Sequence, residues 1–441
     1  MTYDQALAYI ASLEPRGWRL GLDRMQEFAR AAGLNDSLGS TADGPQFIHV
    51  AGTNGKGSTT AFVQSILVES GYRTGAFFSP FVVDPRERVQ FERNMIEKQE
   101  LADLTEQLQP VAESFSETEF GGITEFEFKT AIGFAYWKLK RCEWVALEVG
   151  LGGRLDATNV VTPRASIVVS IGLDHTHILG ETHAKIAFEK AGIIKPNVPV
   201  IVGEMCIEAE DVVVGVAKDQ NAPVWRWGRE VRVRRTAGGC RPAALPGIPA
   251  IDDLFTVETP LGCHDGLLPS LIGTAQPHNM ALAVASIDAA GAFRSDEAIQ
   301  KGVRAVWLPG RFQKVQYKDR TILLDGAHNS ESAEILRGTL QEFGTQDRYV
   351  LVTNMLAGHE PAPFYEVLKS RVKSVHVVPV DFHRATPVEE MVGKLNPALP
   401  NVTGHNSILA GLDAALAETQ PGETILVTGT FYLVGELLRL L

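Results

Sequence analysis

Residues 47–71 of the 441-residue chain read FIHVAGTNGKGSTTAFVQSILVESG. The run begins with apolar residues typical of a buried strand and ends with apolar residues at the spacing of a helix. Between these two parts, residues 52–58 place three glycines around one lysine. Backbone N–H groups converge where a helix begins, and glycine lets a phosphate group come close to the main chain. The stretch therefore predicts a phosphate-binding loop between a strand and a helix.

The residues of this loop have separate predicted roles. Gly52, Gly55 and Gly57 supply backbone freedom. Lys56 supplies a positive charge for a β- or γ-phosphate, and the hydroxyl of Ser58 can reach the phosphates or their magnesium ion. Gly57 separates the lysine from the serine, whereas the commonest phosphate loop has the hydroxyl residue directly after the lysine. A purely structural glycine turn is therefore the alternative interpretation.

The rest of the chain indicates an α/β fold. Further runs typical of buried strands, each followed by a helical pattern, lie at 144–149, 166–172 and 198–203. A second series of such runs lies at 321–325, 349–355, 374–380 and 424–430. Apolar strands that alternate with helices predict parallel sheets covered on both faces. We expect a large N-terminal P-loop-type ATPase domain at 1–295 and a smaller C-terminal Rossmann-like α/β domain at 296–441, with the boundary between Ala292 and Arg311.

Composition and charge exclude several classes of protein. The formal net charge of −12 argues against non-specific binding to nucleic acid, and no apolar run is long enough to cross a membrane. The first residues are acidic and lack the apolar core of a signal peptide, so a cytoplasmic location is expected. The cysteines, without the CxxC spacing of a zinc site, are expected to be buried free thiols: Cys142, Cys206, Cys240 and Cys263.

One basic run needs a separate interpretation. Residues 225–235, WRWGREVRVRR, alternate large apolar and charged side chains. This period of two is typical of a half-exposed strand. A solvated sheet face is the favoured interpretation, and a patch that binds polyanions is the alternative.

Polar residues follow several of the predicted strands. Ser79 comes after a strand-like run, Glu148 ends the run at 144–149, and Asp174 and His175 follow the run at 166–172. Ligands of α/β sheets collect beyond the carboxyl ends of the strands. A carboxylate, an imidazole and a hydroxyl beside a phosphate loop suit magnesium, which keeps water and phosphate oxygens among its ligands. Each residue alone could instead be a helix cap or a loop contact.

Seven segments in order complete the pattern: GTNGKGS, EVGLGGRLDATNV, LDHTHILG, FEKAGIIKP, PGRFQ, LLDGAHN and VTGTFYLVG. They resemble the ordered motifs of folylpolyglutamate synthase and dihydrofolate synthase in the Mur ligase superfamily, over roughly residues 40 to 435. The resemblance implies an ATP-dependent amide ligase. A carboxylate of the pterin substrate would accept the γ-phosphoryl group, and the amine of L-glutamate would then displace phosphate. The substrates implied are ATP, L-glutamate and a tetrahydrofolate, with dihydropteroate as a possible further acceptor.

The resemblance also implies roles for single residues. ATP is expected to contact Gly52, Thr53, Asn54, Gly55, Lys56, Gly57, Ser58, Asn279, Arg311 and Asp325. The expected magnesium ligands are Ser79, Glu148 and His175. The expected catalytic residues are Lys56, Lys190 and His328. Lys190 matches a lysine that the family carries as a carbamate. The sequence leaves open whether Lys190 is carbamylated and whether a monovalent cation is needed.

The pterin and glutamate sites are expected elsewhere on the first domain. The resemblance assigns Thr124, Phe126 and Asp156 to the pterin pocket, where a ring can stack and a carboxylate can accept from the pteridine N–H groups. Arg88 and His328 are the candidates for holding glutamate. A monomer is expected from the same resemblance.

Two rival functions stay open at this point. A cell-wall Mur ligase shares the ATP-binding domains but carries a further domain before the loop, and only 51 residues precede Gly52 here. A nucleotide-dependent switch would also bind ATP or GTP. It would not need the second set of strands that carries PGRFQ and LLDGAHN.

Overall fold

The computed structural model describes residues 1–17, 19, 21–39, 44–236, 253–292, 294–358 and 360–441. Its first sheet has the order β4-β3-β2-β5-β1-β6-β7-β8. In chain order these strands are β1 (Gln46–Ala51), β2 (Thr74–Phe77), β3 (Val89–Phe91), β4 (Asn94–Met95), β5 (Trp144–Glu148), β6 (Ala165–Val168), β7 (Val200–Val202) and β8 (Val224–Arg226). From β2 to β8 neighbouring strands are parallel, and β3 and β4 add an antiparallel edge.

Helices cover both faces of this sheet. The helices of this part of the chain are α1 (Tyr3–Ser12), α2 (Asp23–Ala31), α3 (Lys56–Glu69), α4 (Lys98–Ser114), α5 (Glu125–Leu139), α6 (Thr176–Leu179), α7 (His183–Ala191), α8 (Ile207–Asp219), α9 (Gln276–Ala290) and α10 (Asp296–Arg304). On one face α3, α9 and α10 share a core with the sheet, and on the other face α1, α2, α4 and α5 form a core rich in aromatic rings. Burial on both faces explains the continuous apolar strands.

A small antiparallel sheet follows β8. It consists of β9 (Arg232–Thr236), β10 (Leu254–Thr259) and β11 (Gly262–Leu267). The basic run at 225–235 was expected to be one strand, and this prediction is wrong. Gly228, with φ +76°, lies in a turn that ends β8 and leads to β9 in another sheet. Arg226, Arg234 and Arg235 are ion-paired with carboxylates, which agrees with a solvated face.

The last sheet has the order β12-β13-β17-β14-β15-β16. Its strands are β12 (Gln313–Tyr317), β13 (Arg320–Leu324), β14 (Tyr349–Thr353), β15 (Val372–Val377), β16 (Val402–Gly404) and β17 (Thr424–Thr428). The helices around it are α11 (Ser330–Phe343), α12 (Pro361–Leu368), α13 (Val388–Leu395), α14 (Ile408–Glu418) and α15 (Phe431–Leu440). Apart from the β12–β13 hairpin the strands are parallel, with cores on both faces. The predicted α/β class with two parallel-dominated sheets is confirmed.

The predicted division of the chain at residues 295 and 296 stays a prediction. Helix α10 packs against α3, and Ile299, Val303 and Val306 belong to the same core as α3. This packing favours a boundary after Val306, within the predicted interval that ends at Arg311.

Two smaller predictions have outcomes as well. Cys142 is buried and free, as predicted, and Cys240 lies outside the described residues. Cys206 and Cys263 are free but exposed, so the prediction that they are buried is wrong: Cys206 caps the start of α8, and Cys263 lies on the solvent side of β11. In the part of the chain that the structure describes, no helix combines the length and the apolar character that a membrane span requires.

Gly302→Ala tests the packing of α10 on α3. A Cβ at Gly302 would lie 2.5 Å from Cα and 2.8 Å from N of Ile66, so the two helices would have to move apart. We expect the free energy of unfolding to fall by about 1–3 kcal/mol. Gly215→Ala in α8 is the matched control, because its Cβ would meet nothing within 4 Å. Helix propensity should raise the stability of that variant by up to about 1 kcal/mol. Chemical denaturation that gave both variants equal stability would contradict the packing.

Candidate active site

A cleft between the two large sheets gathers most of the predicted site residues. It is lined by every residue predicted for ATP, magnesium or catalysis: Gly52, Thr53, Asn54, Gly55, Lys56, Gly57, Ser58, Ser79, Glu148, His175, Lys190, Asn279, Arg311, Asp325 and His328. Most of them follow the carboxyl ends of parallel strands in the first sheet or lie at the facing edge of the last sheet, while Lys190 comes from α7 and Asn279 from α9. The chain folds so that Gly52 and His328, which are 276 positions apart, line one cleft.

The phosphate loop runs from the end of β1 to the first turn of α3 and is held tightly. Gly55, with φ +86°, precedes the helix, and a Cβ there would lie 2.6 Å from Oδ1 of Asn279. Thr53 N donates to Ser170 O at 2.9 Å, and Asn54 N donates to Ser170 Oγ at 3.0 Å. The loop is therefore fixed by the segment after β6 and by α9, and there is no room for a side chain at Gly55.

Two lysines converge on one carbonyl oxygen of this loop. Lys56 Nζ donates to Gly52 O at 3.1 Å and to Thr53 O at 3.2 Å, and Lys190 Nζ donates to Gly52 O at 2.9 Å. Lys190 is buried, and burial together with the charge of Lys56 lowers the pKa of Lys190 to about 7. Two ammonium groups that share a carbonyl form a site suited to an anion.

Glu148 faces the loop from the end of β5. Its Oε2 accepts from Ser79 N at 3.0 Å, and it lies 3.6 Å from the position that a Cβ on Gly57 would take. Burial raises the pKa of Glu148 to about 7, and the charge of Lys56 opposes this shift. A buried carboxylate beside a hydroxyl residue fits a hard divalent cation. His175, the third predicted ligand, lines the same cleft at the start of α6, with φ +50°.

The last sheet contributes an arginine, a carboxylate and a histidine. Arg311 lies over the ring of Phe431, with 4.0 Å from Cζ to the ring centroid. Asp325 accepts from Phe312 N at 3.0 Å and from Ala327 N at 2.9 Å, and burial raises its pKa. Nδ1 of His328 lies 2.8 Å from Gly326 O, so its ring is oriented by the backbone of the loop. These groups close the side of the cleft opposite the phosphate loop.

Arg88 and Phe126 form a second cluster outside this cleft. The guanidinium of Arg88 lies 5.6 Å from the ring centroid of Phe77 and 5.8 Å from that of Phe126. Arg88 is 8% exposed, and among the described residues its Nε and Nη1 have no hydrogen-bond partner. Burial lowers the pKa of Arg88, and the charge of Glu125 opposes this. An unpartnered buried guanidinium needs an anion or water to satisfy its donors.

Thr124 and Asp156, predicted for the pterin pocket, already have partners within the chain. Thr124 caps α5 and donates to Glu127 Oε2 at 2.7 Å. Asp156 accepts from Leu151 N at 2.9 Å and from Thr158 N at 3.0 Å. Both side chains shape the loops next to Phe126, and their assignment to pterin stays a prediction.

Sequence patterns predicted no role for several residues in or beside the cleft, although one of them, Asn329, belongs to the motif LLDGAHN. Asn329 bridges the two sheets, and the apolar part of the lining includes Ile272, Ile335 and Leu336. An asparagine before a helix is indistinguishable from an ordinary cap, and isolated isoleucines are indistinguishable from core residues. These residues are identified by their contacts with the other sheet, and those contacts are known only from the fold.

The fold and the cleft define a nucleotide-dependent ligase of the Mur type. Residues 310–431 match the family described as "Mur ligase, glutamate ligase domain". The dihydrofolate synthase/folylpolyglutamate synthase of Bacillus subtilis (strain 168) is 33% identical over 99% of this chain and 98% of its own length. The bifunctional synthase of Escherichia coli (strain K12), with the same two activities in its name, is also 33% identical, over 99% of this chain and 94% of its length. The chain belongs to the folylpolyglutamate synthase and dihydrofolate synthase family.

Solved structures agree with this assignment. Escherichia coli FolC in complex with DHPP and ADP superposes with a TM-score of 0.86 at 30% identity, over 100% of this chain and 97% of that one. Mycobacterium tuberculosis folylpolyglutamate synthase, complexed with ADP and AMPPCP, has a TM-score of 0.87 at 26% identity, over 99% of this chain and 98% of that one.

Glu148→Gln tests the electrostatics of the cleft through stability in the absence of nucleotide and divalent metal. The folded carboxyl binds its proton more tightly than the unfolded one, whose pKa is 4.5, so wild-type stability falls as the pH rises towards about 7. The variant lacks this dependence while its amide oxygen can still accept from Ser79 N. At pH 8 we expect the variant to be more stable by about 3 kcal/mol, with no difference near pH 4. Urea denaturation at several pH values measures this, and a constant difference across that range would contradict it.

Proposed function

We propose that this protein uses ATP to add L-glutamate to the glutamate carboxylate of tetrahydrofolates through an acyl phosphate, and that it also joins glutamate to dihydropteroate. The observation that carries the proposal is the position of Lys56 in the phosphate loop at the start of α3, with Arg311 facing it across the cleft. Positive charge from both sheets meets where backbone N–H groups begin α3. This arrangement suits the triphosphate of a nucleotide held between the sheets.

The chemistry follows from the poor reactivity of a free carboxylate. The carboxylate oxygen forms a bond to the γ-phosphorus of ATP while the bond to the β-phosphate oxygen breaks and ADP leaves. The amine nitrogen of glutamate then attacks the acyl carbon, loses a proton, and phosphate leaves. Lys56 and Arg311 would offset the negative charge as one anion approaches another. Asn279 would contact the adenine, and Asp325 the ribose.

Magnesium fits the donors on the first sheet, namely the buried Glu148 with Ser79 and His175. When bound there, the ion would neutralise part of the charge on the β- and γ-phosphates. The residues themselves have a separate role, since the hydrogen bond between Glu148 and Ser79 N joins the ends of β5 and β2 at the cleft. We propose Ser79, Glu148 and His175 as its ligands.

The acceptor and the incoming glutamate would lie beyond the phosphate loop. Phe126 would stack on the pterin, with Thr124 and Asp156 in the surrounding wall. Arg88 is the candidate for a substrate carboxylate, because its unpartnered nitrogens are buried beside Phe126. His328, oriented by Gly326 O, is the candidate on the last sheet. The monomeric state, the cytoplasmic location, the absence of nucleic-acid binding and any need for a monovalent cation stay predictions.

The direct test offers the purified protein ATP, Mg²⁺ and L-glutamate, with tetrahydrofolate or dihydropteroate in separate reactions. Mass spectrometry should find products heavier by glutamyl residues, with one phosphate released for each bond formed. Lys56→Ala should lower the rate at least about a hundredfold, the loss typical of a group that stabilises transition-state charge. ATP hydrolysis without an amide product from either pterin acid would contradict the proposal.

Arg88→Ala tests the carboxylate site. We expect KM for glutamate or for the folate acceptor to rise about tenfold to a hundredfold, because charged hydrogen bonds are lost from a buried position. KM for ATP should stay near the wild-type value. Arg86→Ala is the matched control, since Arg86 lies in the same short helix and its Nη2 is paired with Asp84 Oδ2 at 2.8 Å. Equal effects of the two substitutions would remove Arg88 from the site.

We also propose that Lys190 is carbamylated, which replaces one of the two positive charges beside Gly52 O by a negative charge and leaves Lys56 and Arg311 as the cations that face the phosphates. Its amine is buried and its pKa is lowered to about 7, so a substantial fraction is neutral at physiological pH and able to react with carbon dioxide. NMR with isotope-labelled bicarbonate should detect a carbamate that Lys190→Ala abolishes. Lys195→Ala is the control, because the pKa of Lys195 is also lowered by burial but its Nζ donates to Asn159 O. A carbamate signal that survives in Lys190→Ala would refute the assignment.

A further inference from the structure

Asn329, at the start of α11, joins three parts of the cleft through one side chain. Its Nδ2 lies 3.2 Å from Oδ1 of Asn54 in the phosphate loop and 3.1 Å from Oδ2 of Asp174. Its Oδ1 accepts from Asn54 Nδ2 at 3.2 Å and from Ser332 N at 2.9 Å. The side chain thus connects the last sheet to two loops of the first sheet.

The hydrogen-bonding capacity of this amide is fully used. An asparagine side chain has two N–H donors and an oxygen with two lone pairs, and each of these has a partner here. Asn329 is only 8% exposed, so little water competes for these groups. Aspartate has no donor for Asn54 or Asp174, and serine is too short to reach both. The site therefore requires asparagine for more than a helix cap.

Further contacts between the first and the last sheet lie next to Asn329. Glu331, in the first turn of α11, accepts from Leu173 N at 3.0 Å through Oε1. A Cβ on Gly172 would lie 2.8 Å from the same oxygen. The segment that carries Asp174 and the predicted magnesium ligand His175 is thus held by the first turn of a helix from the other sheet.

We propose that Asn329 is a positioning residue that sets the phosphate loop and the Asp174–His175 segment in register with the last sheet. The proposal rests on one part of the proposed function, namely that residues 52–58 bind the nucleotide. Because Arg311 and Asp325 belong to the same sheet as Asn329, the amide links the position of these two groups to the position of Asn54. Nucleotide binding and the docking of the two sheets are then coupled through one hydrogen-bond network.

The alternative role is that of a helix cap alone. Asn329 caps α11 through Ser332 N, and a lost cap lowers stability without changing a binding site. Asn329→Ser separates the two roles, since serine is a good cap but cannot bridge to Asn54 and Asp174. Asn329→Asp also keeps the cap, and it places a carboxylate beside Asp174.

The experiment measures ADP affinity by calorimetry, KM for ATP and for the folate acceptor, and the thermal midpoint of the free protein. Asn329→Ser should weaken ADP binding about five- to thirtyfold, as expected for one or two part-buried hydrogen bonds. KM for the folate acceptor and the thermal midpoint should stay near wild type. Asn329→Asp should weaken ADP binding further. Ser407→Ala, which removes the cap of α14, is the control that lowers stability without changing ADP affinity.

A double-mutant cycle with Asn54→Ala completes the test. If the two amides act through each other, the loss of ADP affinity in Asn54→Ala/Asn329→Ser should be clearly smaller than the sum of the losses in the two single variants. Wild-type ADP affinity in Asn329→Ser, or strictly additive losses in the cycle, would overturn the proposal. ADP binding is measured without any acceptor, so this outcome is separate from a failure of glutamate ligation.

Discussion

The carbonyl oxygen of Gly52 accepts hydrogen bonds from two lysine ammonium groups, and the chemistry of the cleft depends on that contact. No carboxylate bonds directly to either ammonium among the described residues. Burial and mutual repulsion lower the pKa of Lys190 to about 7, so the free cleft holds positive charge at an energetic disadvantage. Carbamylation of Lys190 would remove that disadvantage, and a phosphate chain bound along the start of α3 would then be balanced by the charge of Lys56. A protein with a net charge of −12 can therefore bind a strongly anionic nucleotide, because its positive charge is concentrated at one place.

The parallel order of the first sheet brings the remaining groups to this place. Val50 in β1 is directly opposite Glu148 in β5, and Leu147 is opposite Phe77 in β2. Glu148, at the end of β5, therefore lies beside the end of β1, where the phosphate loop begins. Ser79 follows the end of β2, next to Glu148. Parallel strands end at the same edge, so residues far apart in the chain meet without a dedicated loop to carry them. The site is a consequence of strand order and register rather than of local sequence.

This origin explains which features the sequence could predict. The loop at 52–58 was predictable because glycine spacing, a preceding strand and a following helix are all local, and the strand ends that carry Glu148 and His175 were predictable from the rule for parallel sheets. The run at 225–235 was misinterpreted because its alternation continues across the turn at Gly228, which separates two sheets. Asn329 lies in the motif LLDGAHN, but its bridging role could not be predicted, since its local pattern is that of a cap and its partners in the other sheet are 155 and 275 residues away.

Three cations of the two sheets are coupled electrostatically to one carboxylate. The charges of Lys56, Arg311 and Arg88 all act on Glu148 and oppose the effect of burial on its pKa. Glu148 is thus coupled electrostatically to the phosphate loop and to the guanidinium of Arg88 beside Phe126. A reaction between a carboxylate and a phosphate chain needs two separate anion sites that lie next to each other. A single buried carboxylate that is coupled to these cations offsets part of their mutual repulsion in the free protein. Because it also repels the two anions, we propose that a divalent cation at Glu148 supplies the further positive charge that their approach requires.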